Sequence, residues 1–354
     1  LAQTGDVAVK KTSKGFGMNK ISKKPSVSPA GSETALRVPE RRVPPPTTIS
    51  AQAQAFLASA ASVGFSDPPD PADKAAWRAY IANGEQSIAA MMAPGTAANP
   101  CDIAAHPVGG ATLYEVTPST RSGRNSDRAI YYLHGGAFIV GAGLTGAHMA
   151  QPIACKTGLT AFAIDYRMPP DHPFPVGLED SVAGYQRLLE RFEPGHIAVM
   201  GASAGGGLAA SLILKLRDLG LPMPAACVLA TPEADLTESG DTVVTNAVID
   251  VVLRRPLAPS IALYADGHDL RDPYLSPVFA DFSKGFVPTI LMSGTRDMFL
   301  SNTVRLHRSL CRAGIETELH VWEAMPHGGF FGAPEDLEML EQTAAFIRKH
   351  VGVV

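Results

Sequence analysis

The chain has 354 residues, 45% of them hydrophobic and 18% charged, and a formal net charge of -4. That length and apolar content suit one large α/β domain with additions. The balance offers no basic face for nucleic acid, and no apolar run reaches the ~18 to 20 residues of a membrane span, so neither partner is expected.

Residues 1–30 hold six lysines, one acid (Asp6) and little apolar content. They read as a flexible arm, continued to residue 46 by the stiff proline run in RRVPPPTTIS (41–50). The arm lacks the apolar stretch of a signal peptide, which points to a cytoplasmic protein. Ser50 is expected to cap a helix running to about Ser62 and stopping at Gly64. DPPDPADKAAWRAYIANG then predicts a second helix, with Asp70 as cap, Pro71 at its first position and Asn83-Gly84 at its end. A third short helix is expected over Glu85–Met92. Residues 47–98 are thus a predicted helical cap, whose apolar faces need a larger body to pack on.

From residue 99 to 354 the pattern changes. Apolar runs at 111–116, 128–133, 159–164, 196–200, 225–230, 287–292 and 316–322 predict strands. A short strand before Gly109-Gly110 would pair with 111–116 as an edge hairpin. Helical stripes lie between most of the runs: Leu208, Leu212, Leu216 and Leu219 share one face, and a last helix covers about Glu335–Val351. Near-continuous apolar strands alternating with helices imply a mostly parallel sheet of about eight strands with helices on both faces. Cys101, Cys155, Cys227 and Cys311 are scattered, with no C-x-x-C pair. They are expected to be free or buried thiols in a reducing compartment, with no metal site.

HIAVMGASAGGGLAA (196–210) has two readings. Gly201-Ala202-Ser203-Ala204-Gly205 fits G-x-S-x-G, a tight strand-to-helix turn that exposes a serine to the positive end of a helix. Gly205-x-Gly207-x-x-Ala210 fits a dinucleotide cradle. The second reading is disfavoured, because the turn lies mid-chain and the nearest acid, Asp218, comes too early and inside the helix. A serine nucleophile needs a base. His134, ahead of a glycine turn at a strand end, suits a bracing hydrogen bond better than catalysis. His327, in AMPHGGF, lies in a loop at a strand's carboxyl edge, where α/β sites assemble. Asp297 follows the strand VPTILMSG and fits an orienting acid; Asp235 and Asp250 remain alternatives. The turn His134-Gly135-Gly136-Ala137-Phe138 can aim backbone N–H groups at a developing oxyanion, each worth roughly 3 kcal/mol of barrier.

Together HGGAF (134–138), DYRMPPDHPFPVGLED (165–180), GASAGG (201–206), SGTRD (293–297) and PHGG (326–329) resemble the hormone-sensitive-lipase-like, or bacterial family IV, esterases of the α/β-hydrolase superfamily, over about residues 100–350. The resemblance implies an α/β-hydrolase fold and a carboxylesterase, with Ser203 as nucleophile, Asp297 as acid and His327 as base. It places the oxyanion donors at Gly135, Gly136, Ala137 and Ala204. No cofactor or metal is implied; the partners are a small ester and water. The wording around VPPPTTIS and the tail is similar to sequences described as lactone hydrolases, so short-chain esters and lactones are the expected substrates. Two departures stand out: Ala137 replaces the family's usual glycine, and Ala202 replaces its usual Asp or Thr. Asp165 and Arg167 are expected to form a bracing ion-pair network. Phe138, Trp77, Tyr80, Met91 and Met92 are candidates for the pocket wall or lid. The rival readings are an NAD(P)-dependent oxidoreductase and a non-catalytic binding protein of the same fold. A homodimer through a sheet edge is a further expectation.

Overall fold

The apolar runs become strands because each alternates between two buried faces. A computed structural model describes residues 38–60, 67–119 and 125–353. Most of the expected arm, and the helix stop expected at Ser62 and Gly64, lie outside the described residues. Residues 38–42 carry neither helix nor strand, and 43–354 form one compact unit. Its strands are β1 (Cys101–Val108), β2 (Ala111–Pro118), β3 (Ala129–Leu133), β4 (Thr160–Asp165), β5 (Ile197–Ala202), β6 (Ala226–Ala230), β7 (Thr289–Gly294) and β8 (Thr317–Trp322). They form one eight-stranded sheet in the order β1-β2-β4-β3-β5-β6-β7-β8. The predicted hairpin is present: β1 pairs antiparallel with β2, and β2 antiparallel with β4, while the remaining pairs are parallel.

Alternate residues of each strand serve different cores. Tyr131, Leu133, Val199, Leu229 and Leu291 pack with α4 (Val176–Leu189), α5 (Ala204–Asp218) and α8 (Leu300–Arg312). Ile130, Tyr132, Met200, Val228 and Ile290 pack with α1 (Ala51–Ala60), α3 (Leu144–Thr157) and α9 (Pro334–His350). Burial of each large side chain contributes roughly 1.5–3 kcal/mol before the entropic cost of ordering.

The chain leaves β3 through α3 to β4 on one side, then returns through α4 to β5 on the other side. Neighbouring strands that depart in opposite directions open a crevice at their carboxyl ends. The turns after β3 and β5 therefore meet there.

The segment ahead of the sheet differs from the sequence expectation. Ser50 does cap α1, its Oγ accepting the N–H of Ala53. The predicted helix ending at Asn83-Gly84 and the short helix over 85–92 are in fact one, α2 (Lys74–Ala98). Its cap is Asp73, which accepts from Ala76, while Asp70 closes the turn before it through Ala72. Gly84 does not stop the helix because it marks a close crossing: a Cβ there would lie 2.9 Å from Val140 Cγ1. The two helices also pack on different partners. α1 docks on α9, with Ser50 donating to the Glu335 carboxylate. Trp77 of α2 instead sits with Ile139, Val140 and Leu263.

Candidate active site

Ser203 sits between β5 and α5 at φ 56, ψ -125, a region costly for a side-chain-bearing residue. The surrounding glycines make this turn possible. A Cβ on Gly201 would lie 2.0 Å from the Gly205 carbonyl oxygen, and one on Gly205 would lie 2.1 Å from that of Leu133. The other glycines of the stretch are equally committed. A Cβ on Gly206 would touch Pro232 at 3.0 Å, and one on Gly207 would lie 2.0 Å from the Glu233 carbonyl oxygen. They let α5 press on neighbouring backbone.

Ser203 Oγ lies 2.8 Å from His327 Nε2, and His327 Nδ1 lies 3.0 Å from Asp297 Oδ1. A carboxylate only accepts, so Nδ1 carries the proton and Nε2 is free to accept from the serine. Asp297 is fully buried. Its Oδ2 accepts from Ser293 at 2.6 Å and its Oδ1 from the Phe299 N–H at 2.9 Å. Burial pulls the His327 pKa down. The charge and hydrogen bond of Asp297, with the nearby Asp250, outweigh it and hold the imidazole above its ordinary 6.5.

The two other acids considered from sequence part ways. Asp235 is turned into an ion pair with Arg305 and hydrogen bonds from Thr237 and Ser239. Asp250 is a clasp. Its carboxylate accepts the N–H groups of Met298 at 2.8 Å, Val252 at 2.9 Å, Leu253 at 3.0 Å and His327 at 3.3 Å. It thereby ties the loop bearing Asp297 to the loop bearing His327. Asn246 adds a hydrogen bond to the Asp297 carbonyl at 2.9 Å.

The turn after β3 lies against the serine: a Cβ on Gly135 would be 3.1 Å from Ser203 Cβ. Gly136, Ala137 and Phe138 all have positive φ (122, 52 and 59). Among the described residues, no hydrogen bond uses the N–H of Gly136, Ala137 or Ala204. The turn is held from behind. His134 Nδ1 donates to the Gly135 carbonyl at 2.8 Å, and its ring stacks on Tyr166 at 4.2 Å, the bracing role expected of it. Phe138 stacks on Tyr264 at 4.0 Å. Glu85 of α2 accepts the N–H groups of Gly141 at 2.7 Å and Ala142 at 2.9 Å. No sequence signal marked Glu85, because the contact joins segments 56 residues apart.

The bracing expected of Asp165 and Arg167 is present in part: Arg167 forms an ion pair, and Asp165 braces backbone instead. Arg167 pairs with Asp180 across two bonds, at 2.7 and 3.0 Å, while Asp165 accepts the Gly143 N–H at 2.9 Å. Each side chain takes the partner its neighbourhood offers: Asp165 the backbone at the start of α3, Arg167 the Asp180 carboxylate of α4. Of the pocket candidates, Phe138 is buried beside the turn and Trp77 is fully buried, its indole donating to the Asp70 carbonyl at 3.0 Å. Tyr80 and Met92 are half-buried, and Met91 is exposed. All four cysteines are free thiols, with the Sγ atoms of Cys101 and Cys155 3.5 Å apart. No described helix is long and apolar enough to cross a membrane.

Comparison with protein families matches residues 130–331 to the alpha/beta hydrolase fold. The chain belongs to that hydrolase family. An acetyl-hydrolase of Streptomyces hygroscopicus is 32% identical over 237 residues, 66% of this chain and 79% of that one. The crystal structure of esterase E25 superposes with a TM-score of 0.83 at 32% identity, covering 90% of this chain and 99% of that one. An esterase of the bacterial hormone-sensitive lipase family superposes at 0.72 with 28% identity, covering 85% and 99%. The resemblance carried by the motifs therefore holds, and this hydrolase is a serine ester hydrolase of the hormone-sensitive-lipase-like group.

Proposed function

We propose that this hydrolase cleaves small short-chain acyl esters or lactones, with Ser203 as nucleophile, His327 as general base and acid, and Asp297 as the group that orients the imidazole. The observation that carries the reading is the unbroken hydrogen-bonded relay from Ser203 through His327 to the buried Asp297. His327 takes the serine proton as Oγ attacks the ester carbonyl. Asp297 holds the productive tautomer and stabilises the imidazolium. The oxyanion is received by N–H groups of Gly135, Gly136 and Ala137 together with Ala204, at the positive end of α5. His327 then protonates the leaving alcohol, and water, activated by the same imidazole, releases the acid. Phe138 is proposed as a wall of the acyl pocket, with Tyr80 and Met92 on the cap side.

A fluorophosphonate label tests the nucleophile. The wild-type protein should be modified at Ser203 and should hydrolyse p-nitrophenyl acetate, and Ser203→Ala should lose both. Activity retained in that variant overturns the mechanism. A panel of p-nitrophenyl esters of rising chain length, with simple lactones beside them, tests the substrate class; a preference for long acyl chains would count against it.

A further inference from the structure

Beyond β6 the chain turns at Thr231, φ 42, and runs through Pro232 to Glu233. The Glu233 backbone is fastened to the serine turn. Its N–H donates to the Ser203 carbonyl at 2.9 Å, and its own carbonyl lies against Gly207. The side chain is 1% exposed, and neither carboxyl oxygen has a hydrogen-bond partner among the described residues. The other acids around His327 differ: Asp297 is bonded to the imidazole, and Asp250 is surrounded by backbone N–H groups. A buried carboxylate with no donor is far more costly than a buried neutral acid. The titratable groups facing Glu233 are His327 and Glu238, together with the hydroxyls of Tyr166 and Tyr264, which in turn feel its charge; none of them is a lysine or arginine. Burial pushes its carboxyl up to about 8.

We propose that Glu233 is a positioning residue for the base: its carboxyl is neutral in the resting enzyme, and once its proton has left to solvent, the remaining charge stabilises the His327 imidazolium formed during ester cleavage. This rests on the reading of His327 as the base. Asp297 is hydrogen-bonded to that imidazole, and Asp250 holds its loop. Glu233 supplies a charge that appears only as the solution becomes alkaline. No bond other than O–H is broken, and no co-reactant beyond water is needed.

The test compares wild type with Glu233→Gln, which keeps the shape and cannot ionise. With p-nitrophenyl acetate, the ratio of wild-type to variant kcat/KM should grow at least about three- to tenfold as pH rises through about 8, a lower bound for a charge acting on the imidazolium through a screened interior. A ratio constant with pH, whether the variant is active or crippled, overturns the proposal. Infrared difference spectra give a readout independent of activity. A protonated-carboxyl C=O band should be present at neutral pH, vanish above about 8 and be missing from Glu233→Gln. A wild-type protein without that band overturns the proposal while leaving ester hydrolysis intact; a protein with the band but no hydrolysis overturns the functional reading on which the proposal rests. If Glu233→Gln fails to fold, Glu233→Met, which also cannot ionise, and the wild-type spectra carry the same comparison.

Discussion

At the scale of single residues, the site is built around the protonation of one imidazole. His327 is held above 6.5 by its acids, and only its neutral form can take the serine proton. The acid limb of the kcat/KM profile should therefore lie above 6.5, with activity lost as pH falls through it; a limb at or below that value would be inconsistent with the base being held this way. Asp297→Asn leaves the size of the side chain intact but lets an amide donate to Nδ1, so Nε2 would carry the proton and meet the serine hydroxyl as a donor. The expected loss is roughly 10^4-fold in kcat with little change in KM. Glu233 makes a separate prediction for stability. Its folded-state proton is held to about 8, whereas an unfolded glutamate releases it near the ordinary 4.5. The folded state therefore loses ground as pH rises between those values, because the proton has already left the unfolded chain. Glu233→Gln should gain in Tm relative to wild type across that window and level off above it, which thermal melts at pH 5 and pH 9 would show. The Ser203 conformation and the left-handed Ala137 and Phe138 are local strain, sustained by the packing around them.

At the scale of elements, α2 is the support of the turn after β3. Glu85 grips two consecutive N–H groups, and the Gly84 contact brings the helix close enough to do so. Glu85→Ala frees the Gly141–Ala142 backbone and should let the proposed oxyanion donors drift. The expected result is a fall of about tenfold in kcat with a Tm change of only a few degrees, measured on a short-chain ester; an unchanged kcat would show that the turn holds itself. Asp250 does the equivalent work between β7 and β8, joining the loops of acid and base. Neither brace was visible in the chain order. The helix end expected at Gly84 followed ordinary glycine punctuation, and tertiary contact overrode it. Asp250 appeared in the sequence only as a rival for the role of Asp297.

At the scale of the whole molecule, the crevice exists because β3 and β5 are neighbours whose connections leave in opposite directions. On one side of it, α5 is seated at close range against the loop after β6. Gly207→Ala forces a Cβ to within 2.0 Å of the Glu233 carbonyl oxygen, a backbone atom that cannot rotate away. It should cost stability on the scale of an overpacked core, roughly 1–3 kcal/mol or more, together with much of the activity. Equilibrium denaturation beside an esterase assay would show both losses.

Much of this was legible in the sequence, and the reasons are local. Strand periods, the small residues around Ser203 and the order Ser203, Asp297, His327 are properties of neighbouring residues, and backbone sterics and hydrophobic burial act on them directly. The strands, the edge hairpin and the sheet type could therefore be named from order and spacing, and the proposed relay narrowed to Ser203, His327 and one of three acids, with the family resemblance pointing to Asp297. What only the tertiary structure decided is pairing at a distance: Arg167 with Asp180 and not Asp165, Glu85 with the backbone at 141 and 142, Asp250 between two loops, and Glu233 buried with no hydrogen-bond partner among the described residues. A buried polar group takes whichever partner the packing brings within about 3 Å, and spacing along the chain carries no record of that distance.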